Sequence, residues 1–119
     1  RDLEQAAAAG HARADLALKT FTQSIRQYLG AYLTVLGGAD AIVFTGGIGE
    51  NSVRVRRDVC ANLEWAGIAL DTAKNETVAR GSETAIHSPS SQTQIWVVPT
   101  NEEIIVARQT AETIGSARR

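Results

Sequence analysis

Asp40-Ala41-Ile42-Val43-Phe44-Thr45-Gly46-Gly47-Ile48-Gly49-Glu50-Asn51 is the stretch whose reading decides the fold. Ala41 to Phe44 is a short, continuous apolar run rich in β-branched and aromatic side chains, which predicts a strand buried on both faces. It runs straight into Thr45-Gly46-Gly47-Ile48-Gly49, a glycine loop, and then into a polar segment that opens a helix capped by Asn51 or Ser52. Three glycines in four positions permit positive φ and let a ligand approach closely, because no Cβ stands in the way. A helix amino terminus just beyond offers free N–H groups and partial positive charge, which together favour a phosphate. In open α/β sheets, ligands bind at the carboxyl ends of strands, where this loop falls. A tight strand-to-helix turn with no ligand fits the same residues. On the residues alone, both readings stand.

Outward from this stretch, the chain alternates between helix and strand signals. Asp2 to Ala9 is a strong helix former closed by Gly10. His11 to Leu36 predicts a long amphipathic helix, with Leu18, Phe21, Ile25, Leu29, Tyr32 and Leu36 in one apolar stripe. Downstream of the glycines, a helix reaching to about Glu64 turns Val55, Val59 and Leu63 inward and leaves Arg54, Arg56 and Arg57 on a solvated face. Cys60 has no neighbouring His or Lys to activate it and reads as a small buried hydrophobe. Ile68-Ala69-Leu70 predicts a short strand, Asp71 the cap of a brief helix, and Glu83 to His87 another short strand. His11 and His87 stand alone, without partners for catalysis or a metal site.

Ile95-Trp96-Val97-Val98 predicts a second buried strand, closed by Pro99. Thr100-Asn101-Glu102-Glu103 then has the form of a capping box, with Thr100 Oγ accepting the Glu103 N–H and the Glu103 carboxylate accepting the Thr100 N–H. Glu102 is left projecting from the first turn. A carboxylate there complements the helix dipole; beside a bound nucleotide it also suits Mg²⁺, which takes one or two carboxylates and keeps several waters. The closing helix carries Ile104, Ile105, Ala107, Ala111 and Ile114.

The 119 residues suit one domain, and 44% hydrophobic with 21% charged residues is ordinary for a globular protein. Twelve basic against thirteen acidic residues give a net charge of −1, which argues against electrostatic binding to nucleic acid or to an anionic membrane. No apolar run approaches the length of a membrane span. One cysteine fits a reducing, cytoplasmic setting. The chain has no methionine and starts at Arg1, as expected for a piece of a longer protein.

Asp40 to Asn51 resembles, almost letter for letter, the D-A-[IV]-V-F-T-[GA]-G-I-G-E-N stretch of the acetate and propionate kinases. Val98 to Glu103 resembles their [IV]-P-T-[ND]-E-E, and Gly67 to Asn75 their G-[IF]-x-[LVI]-D-x-x-x-N. Arg1-Asp2-Leu3-Glu4 is similar to the end of their D-x-R-[DE]-[LVI]-E segment. The resemblance covers essentially residues 1–119 and implies a partial α/β domain of the ribonuclease H-like, actin-like ATPase fold, the C-terminal nucleotide-binding domain. It implies phosphoryl transfer between ATP and a short-chain carboxylate, with Mg²⁺, in an enzyme that is a homodimer when whole. By the same resemblance Gly46, Gly47, Ile48, Gly49, Glu50, Asn51 and Arg1 bind ATP or ADP, and Glu102 holds magnesium. The family's Asn-x-Gly-Ser-Ser-Ser-x-Lys stretch, catalytic Asp and transition-state His are absent, so no catalytic residue is assigned and the chain alone is expected to be inactive. Acetate, propionate and butyrate specificity is not decided by these residues. Three other classes remain in view: a Rossmann-like dinucleotide-binding oxidoreductase fragment, with Asp71 as its acidic residue; a sugar kinase or Hsp70-like ATPase, which shares the Gly-Gly loop but not the Pro-Thr-Asn-Glu-Glu motif; and a non-enzymatic interaction domain.

Overall fold

Two helices open the chain. In α1 (Asp2–Ala8) an acidic first turn of Asp2 and Glu4 precedes alanines, which complement the dipole and favour the helix. Gly10, at φ 88°, ends that run, and α2 (Ala12–Leu36) comes next, packed against it. The structure is a computed structural model that describes residues 2–117, with the backbone alone for Glu102, Ser116 and Ala117. The Arg1 expectation lies outside the described residues.

Helix α2 stops at Gly37, whose φ of 71° lets the N–H groups of Gly37 and Gly38 reach the carbonyls of Thr34 and Leu33. Its predicted apolar stripe is split by the fold. Leu18 is buried and Ile25 and Leu29 pack on the core, but Phe21, Tyr32 and Leu36 are exposed. The inward face runs instead through Ala14, Leu18, Thr22, Ile25, Leu29 and Leu33. Helices α1 and α4 cover one narrow face of a helix this long, and the flanking apolar residues stay outside that contact.

The strands are β1 (Ala41–Phe44), β2 (Thr84–Ala85) and β3 (Gln94–Val97), in the order β1-β3-β2. β1 and β3 are parallel, in register from Ala41 opposite Gln94 to Phe44 opposite Val97, and β2 is antiparallel to β3. The Val98 N–H donates to the Phe44 carbonyl at 2.9 Å, so the pairing continues past the end of β3. β1 is not buried on both faces as predicted. It is an edge strand among the described residues, with Phe44 buried and Val43 52% exposed on the opposite face. The predicted strand at 68–70 is reduced to one antiparallel bridge, Leu70 to His87. There the Ala69 N–H donates to Ser91 Oγ, so a hydroxyl takes the place of a ladder carbonyl. The predicted 83–87 strand shortens to β2.

The core is Phe44, Val55, Val59, Cys60, Ile68, Ile86, Ile95 and Val97. Burial pushes the Cys60 thiol up to about 12, which keeps it protonated and inert, in keeping with its sequence context.

Candidate functional site

The glycine stretch is helical from its first glycine. Thr45 is extended, and Gly46 to Asn51 form the short helix α3 (Gly46–Asn51) immediately after β1. This corrects the loop expected from the sequence; of the two caps expected for the following helix, Ser52 is the one that forms. Glycines disfavour helix in isolation, but here α3 is held at its far end. Asn51 Nδ2 donates to the Gly47 carbonyl at 2.8 Å, and the buried Arg56 guanidinium donates to the carbonyls of Gly49 and Glu50 at 2.9 and 2.8 Å. Asn51 therefore closes α3 rather than opening the next helix. Ser52 is the cap of α4 (Val53–Cys60), its Oγ accepting the Val55 N–H at 3.0 Å. That same hydroxyl donates to the Glu4 carboxylate, which ties α1 to the joint between α3 and α4.

Two of the three glycines are required by the backbone or by packing. Gly46 sits at φ 71°, turning the chain from strand to helix. A Cβ on Gly49 would stand 3.1 Å from the Phe44 carbonyl carbon, so α3 packs directly on the end of β1. A Cβ on Gly47 would meet nothing within 4 Å. Gly47 is thus free of the fold's own demands, and beside it Ile48 is 53% exposed. Gly47, Ile48 and Asn51 line a cleft of about 670 Å³ whose apolar wall includes Leu3 of α1 and Phe21 of α2, with Arg80 also lining it. Arg80 carried no motif signal in the sequence.

The second motif meets the first. Because β1 and β3 are adjacent and parallel, the segments after them leave the same end of the sheet. The Glu50 carboxylate accepts both the backbone N–H and the hydroxyl of Thr100, at 2.9 and 3.1 Å. Those hydrogen bonds hold Glu50 below its ordinary value of 4.5, the Thr100 N–H having the largest effect. The predicted capping box does not form, since Thr100 is engaged by Glu50. Asn101 caps α6 (Glu102–Ala117) instead, its Oδ1 accepting the Ile104 N–H at 3.2 Å. The Glu102 side chain lies outside the described residues. Its backbone opens α6 on this same side.

Arg56 is the residue that sequence reasoning missed. The sequence puts it on a solvated face, yet it is 1% exposed. Its Nε donates to Asn75 Oδ1 at 2.6 Å and its Nη2 to the Asn75 carbonyl at 3.0 Å, while Asn75 Nδ2 donates to the Val53 carbonyl. Burial lowers the Arg56 pKa, with the charge of Glu4 opposing. Asn75 belongs to α5 (Thr72–Glu76), so this network joins the third motif to the back of the glycine helix. The available signal was its position four residues before buried Cys60, on one helix face. Arg57 does lie outside, paired with Asp58, while Arg54 is half-buried and paired with Asp15 and Asp58.

Asp71 caps α5 by accepting the Lys74 N–H at 3.0 Å, and Leu70 before it makes only an antiparallel bridge. The dinucleotide alternative needed an acid ending a parallel strand, so it finds no support. His87 is structural: its Nδ1 accepts the Ile95 N–H at 3.2 Å, and its ring lies beside Trp96. No group of three metal-ligating side chains occurs among the described residues. A magnesium ion held by one carboxylate and nucleotide oxygens is compatible with that donor set. A larger cleft, about 1040 Å³, lies between the end of α2 and Trp65. Its lining residues Ala39, Asp40, Gln92 and Thr93 precede β1 and β3, so it opens at the amino end of the sheet, away from both motifs.

A sequence model of the acetokinase family matches residues 1–108. The acetate kinase of Methanosarcina barkeri is 49% identical over 114 residues, covering 96% of this chain and 28% of that enzyme. The crystal structure of Porphyromonas gingivalis acetate kinase superimposes with a TM-score of 0.80 at 40% identity, over 94% of this chain and 28% of that one. A propionate kinase from Francisella tularensis gives 0.77 at 37% identity, over 90% and 27%. The chain thus spans little more than a quarter of the relatives it matches. These matches do not bear out the expectation that this share is the C-terminal one. The fold expected from the resemblance, a partial α/β unit of the actin-like ATPase type, is that of the kinases it superimposes on. With the family's sequence model matching nine-tenths of its residues, the chain belongs to the acetokinase family.

Proposed function

We propose that this chain is a nucleotide-binding portion of an ATP-dependent kinase that phosphorylates acetate or propionate to the acyl phosphate. The observation that carries the reading is the meeting of two motif segments at the carboxyl end of adjacent parallel strands, where Glu50 bonds Thr100 beside an open cleft. Gly47 and Ile48 present backbone and an exposed aliphatic side chain to that cleft, which suits the ribose and base of ATP or ADP. Asn51 and Arg80 line it with polar groups. Leu3 and Phe21 give it apolar surface. Arg1 and the Glu102 carboxylate join the site in this reading, Glu102 as the magnesium ligand. Bound Mg²⁺ would neutralise charge developing on the transferred phosphoryl group, in a reaction that depends chiefly on positioning.

The carboxylate subsite and the catalytic groups are assigned to the rest of the enzyme, so the chain alone is proposed to be inactive. A homodimer, a cytoplasmic location and independence from nucleic acid belong to the same proposal. The net charge of −1 supports the last, and no helix among the described residues is long and apolar enough to cross a membrane.

Calorimetric titration of the chain with ADP tests the reading. Saturable binding by wild type, lost in Gly47→Val, supports it; no binding by wild type, or full binding by Gly47→Val, contradicts it.

A further inference from the structure

We propose that Glu50 is a positioning residue that couples nucleotide contact at α3 to divalent-cation binding at the start of α6, an inference that rests on the nucleotide-binding reading above. Glu50 lies between Gly49 and Asn51, yet unlike Gly47, Ile48 and Asn51 it does not line the cleft. Its carboxylate reaches across 50 residues of sequence to Thr100 and takes both of that residue's donors, N–H and O–H. Its own carbonyl is held from behind by Arg56 Nη1 at 2.8 Å. Glu50 is therefore fixed at its backbone and at its side-chain tip.

Thr100 is followed by Asn101, whose side chain caps α6 through the Ile104 N–H. A shift of α3 on a nucleotide thus has a short path to the first turn of α6: Glu50 carboxylate, Thr100 main chain, Asn101 cap. A carboxylate accepting two donors from one residue fixes both the position and the orientation of that residue's peptide. The ligand class is a nucleoside diphosphate together with a divalent cation, and the coupling appears as each ligand tightening the other.

The test titrates ADP into the chain with and without Mg²⁺, for wild type, Glu50→Ala, Glu50→Gln and Thr100→Val, and monitors amide exchange at Ile104 and Val55. In wild type, Mg²⁺ is expected to raise ADP affinity roughly fivefold or more. In Glu50→Ala that gain falls to within about twofold of none. Ile104 exchange accelerates, and Val55, capped by Ser52, stays protected. Glu50→Gln keeps an acceptor of the same length and recovers most of the gain, and Thr100→Val, which keeps its N–H, shows a partial loss. If Glu50→Ala retains the wild-type response to Mg²⁺, the coupling role is wrong and the nucleotide reading survives. If Glu50→Gln is as defective as Glu50→Ala, charge rather than position is at work and the proposal falls. If wild type binds no ADP, the nucleotide reading itself fails and takes this inference with it.

Discussion

The two ends of the three-stranded sheet differ in a way that size alone misrepresents. The amino end carries the larger cleft, about 1040 Å³, beneath the end of α2 and beside an exposed Trp65. The polar groups there mostly serve the fold: Thr93 Oγ1 donates to the Ala39 carbonyl, and the Gln94 N–H to the Asp40 carbonyl. The carboxyl end has the smaller cleft, and there hydrogen bonds join the segments that follow β1 and β3 to each other, and α3 and α4 to α1 and α5. Glu50 binds Thr100, Arg56 binds Gly49, Glu50 and Asn75, and Ser52 binds Glu4. The lesson is that a site is recognised by which segments of the chain are joined at it, rather than by the size of the cleft. Strand direction then says which end that is.

The strongest way to break this contrast is to remove the buried guanidinium. Arg56→Met leaves the buried Asn75 Oδ1 and the part-buried carbonyls of Gly49 and Glu50 without their donors. The expected loss is about 3 kcal/mol or more, read from the shift of the urea midpoint. A loss below about 0.5 kcal/mol would mean that α3 is held by something else.

Glycine substitutions sharpen the comparison next. Gly49→Ala drives a Cβ to 3.1 Å from the Phe44 backbone and is expected to cost about 1–3 kcal/mol. Gly47→Ala and Gly30→Ala both place a Cβ in open space, so each should leave stability unchanged or raise it by up to about 1 kcal/mol. Their effects on ADP binding should differ. Gly47→Ala, at the carboxyl end, weakens it; Gly30→Ala, in the wall of the larger cleft, does not. Equal effects would erase the distinction between the two ends.

The smallest expected effect is on pH dependence. Glu50 is held below its ordinary value in the folded protein, so its contribution to stability is present above about 4.5 and is lost as pH falls through the lowered folded value. Acid titration of Glu50→Gln should therefore show a shallower loss of stability below that point than wild type. An identical acid limb would show that the bond to Thr100 contributes nothing.

Much of this end of the molecule was legible in sequence. Apolar runs at 41–44 and 95–98 marked the two parallel strands, and the glycine and Pro-Thr-Asn-Glu-Glu stretches marked the segments that leave their carboxyl ends. Four details escaped, each for a physical reason. Three glycines read as a loop because intrinsic propensity disfavours helix, while the donors that hold α3 come from Arg56 and Asn51. Arg56 was hidden among three arginines whose charge suggests solvent, and its partners are backbone carbonyls and an amide rather than a carboxylate. The capping box failed because Asn101 offers a competing cap one residue later, and Glu50 had already claimed Thr100. β1 looked doubly buried because composition reports apolar side chains and not the sheet edge on which they fall.

The most direct test of the central claim, that the segments after β1 and β3 form one nucleotide-holding end, is amide chemical-shift mapping of the chain during ADP titration. Gly46 to Asn51 and Thr100 to Ile104 are expected to shift together along one saturating curve, while Gly30, Trp65 and Gln92 stay still. Shifts confined to the residues around Trp65, or at Gly46 to Asn51 without any at Thr100 to Ile104, would contradict it.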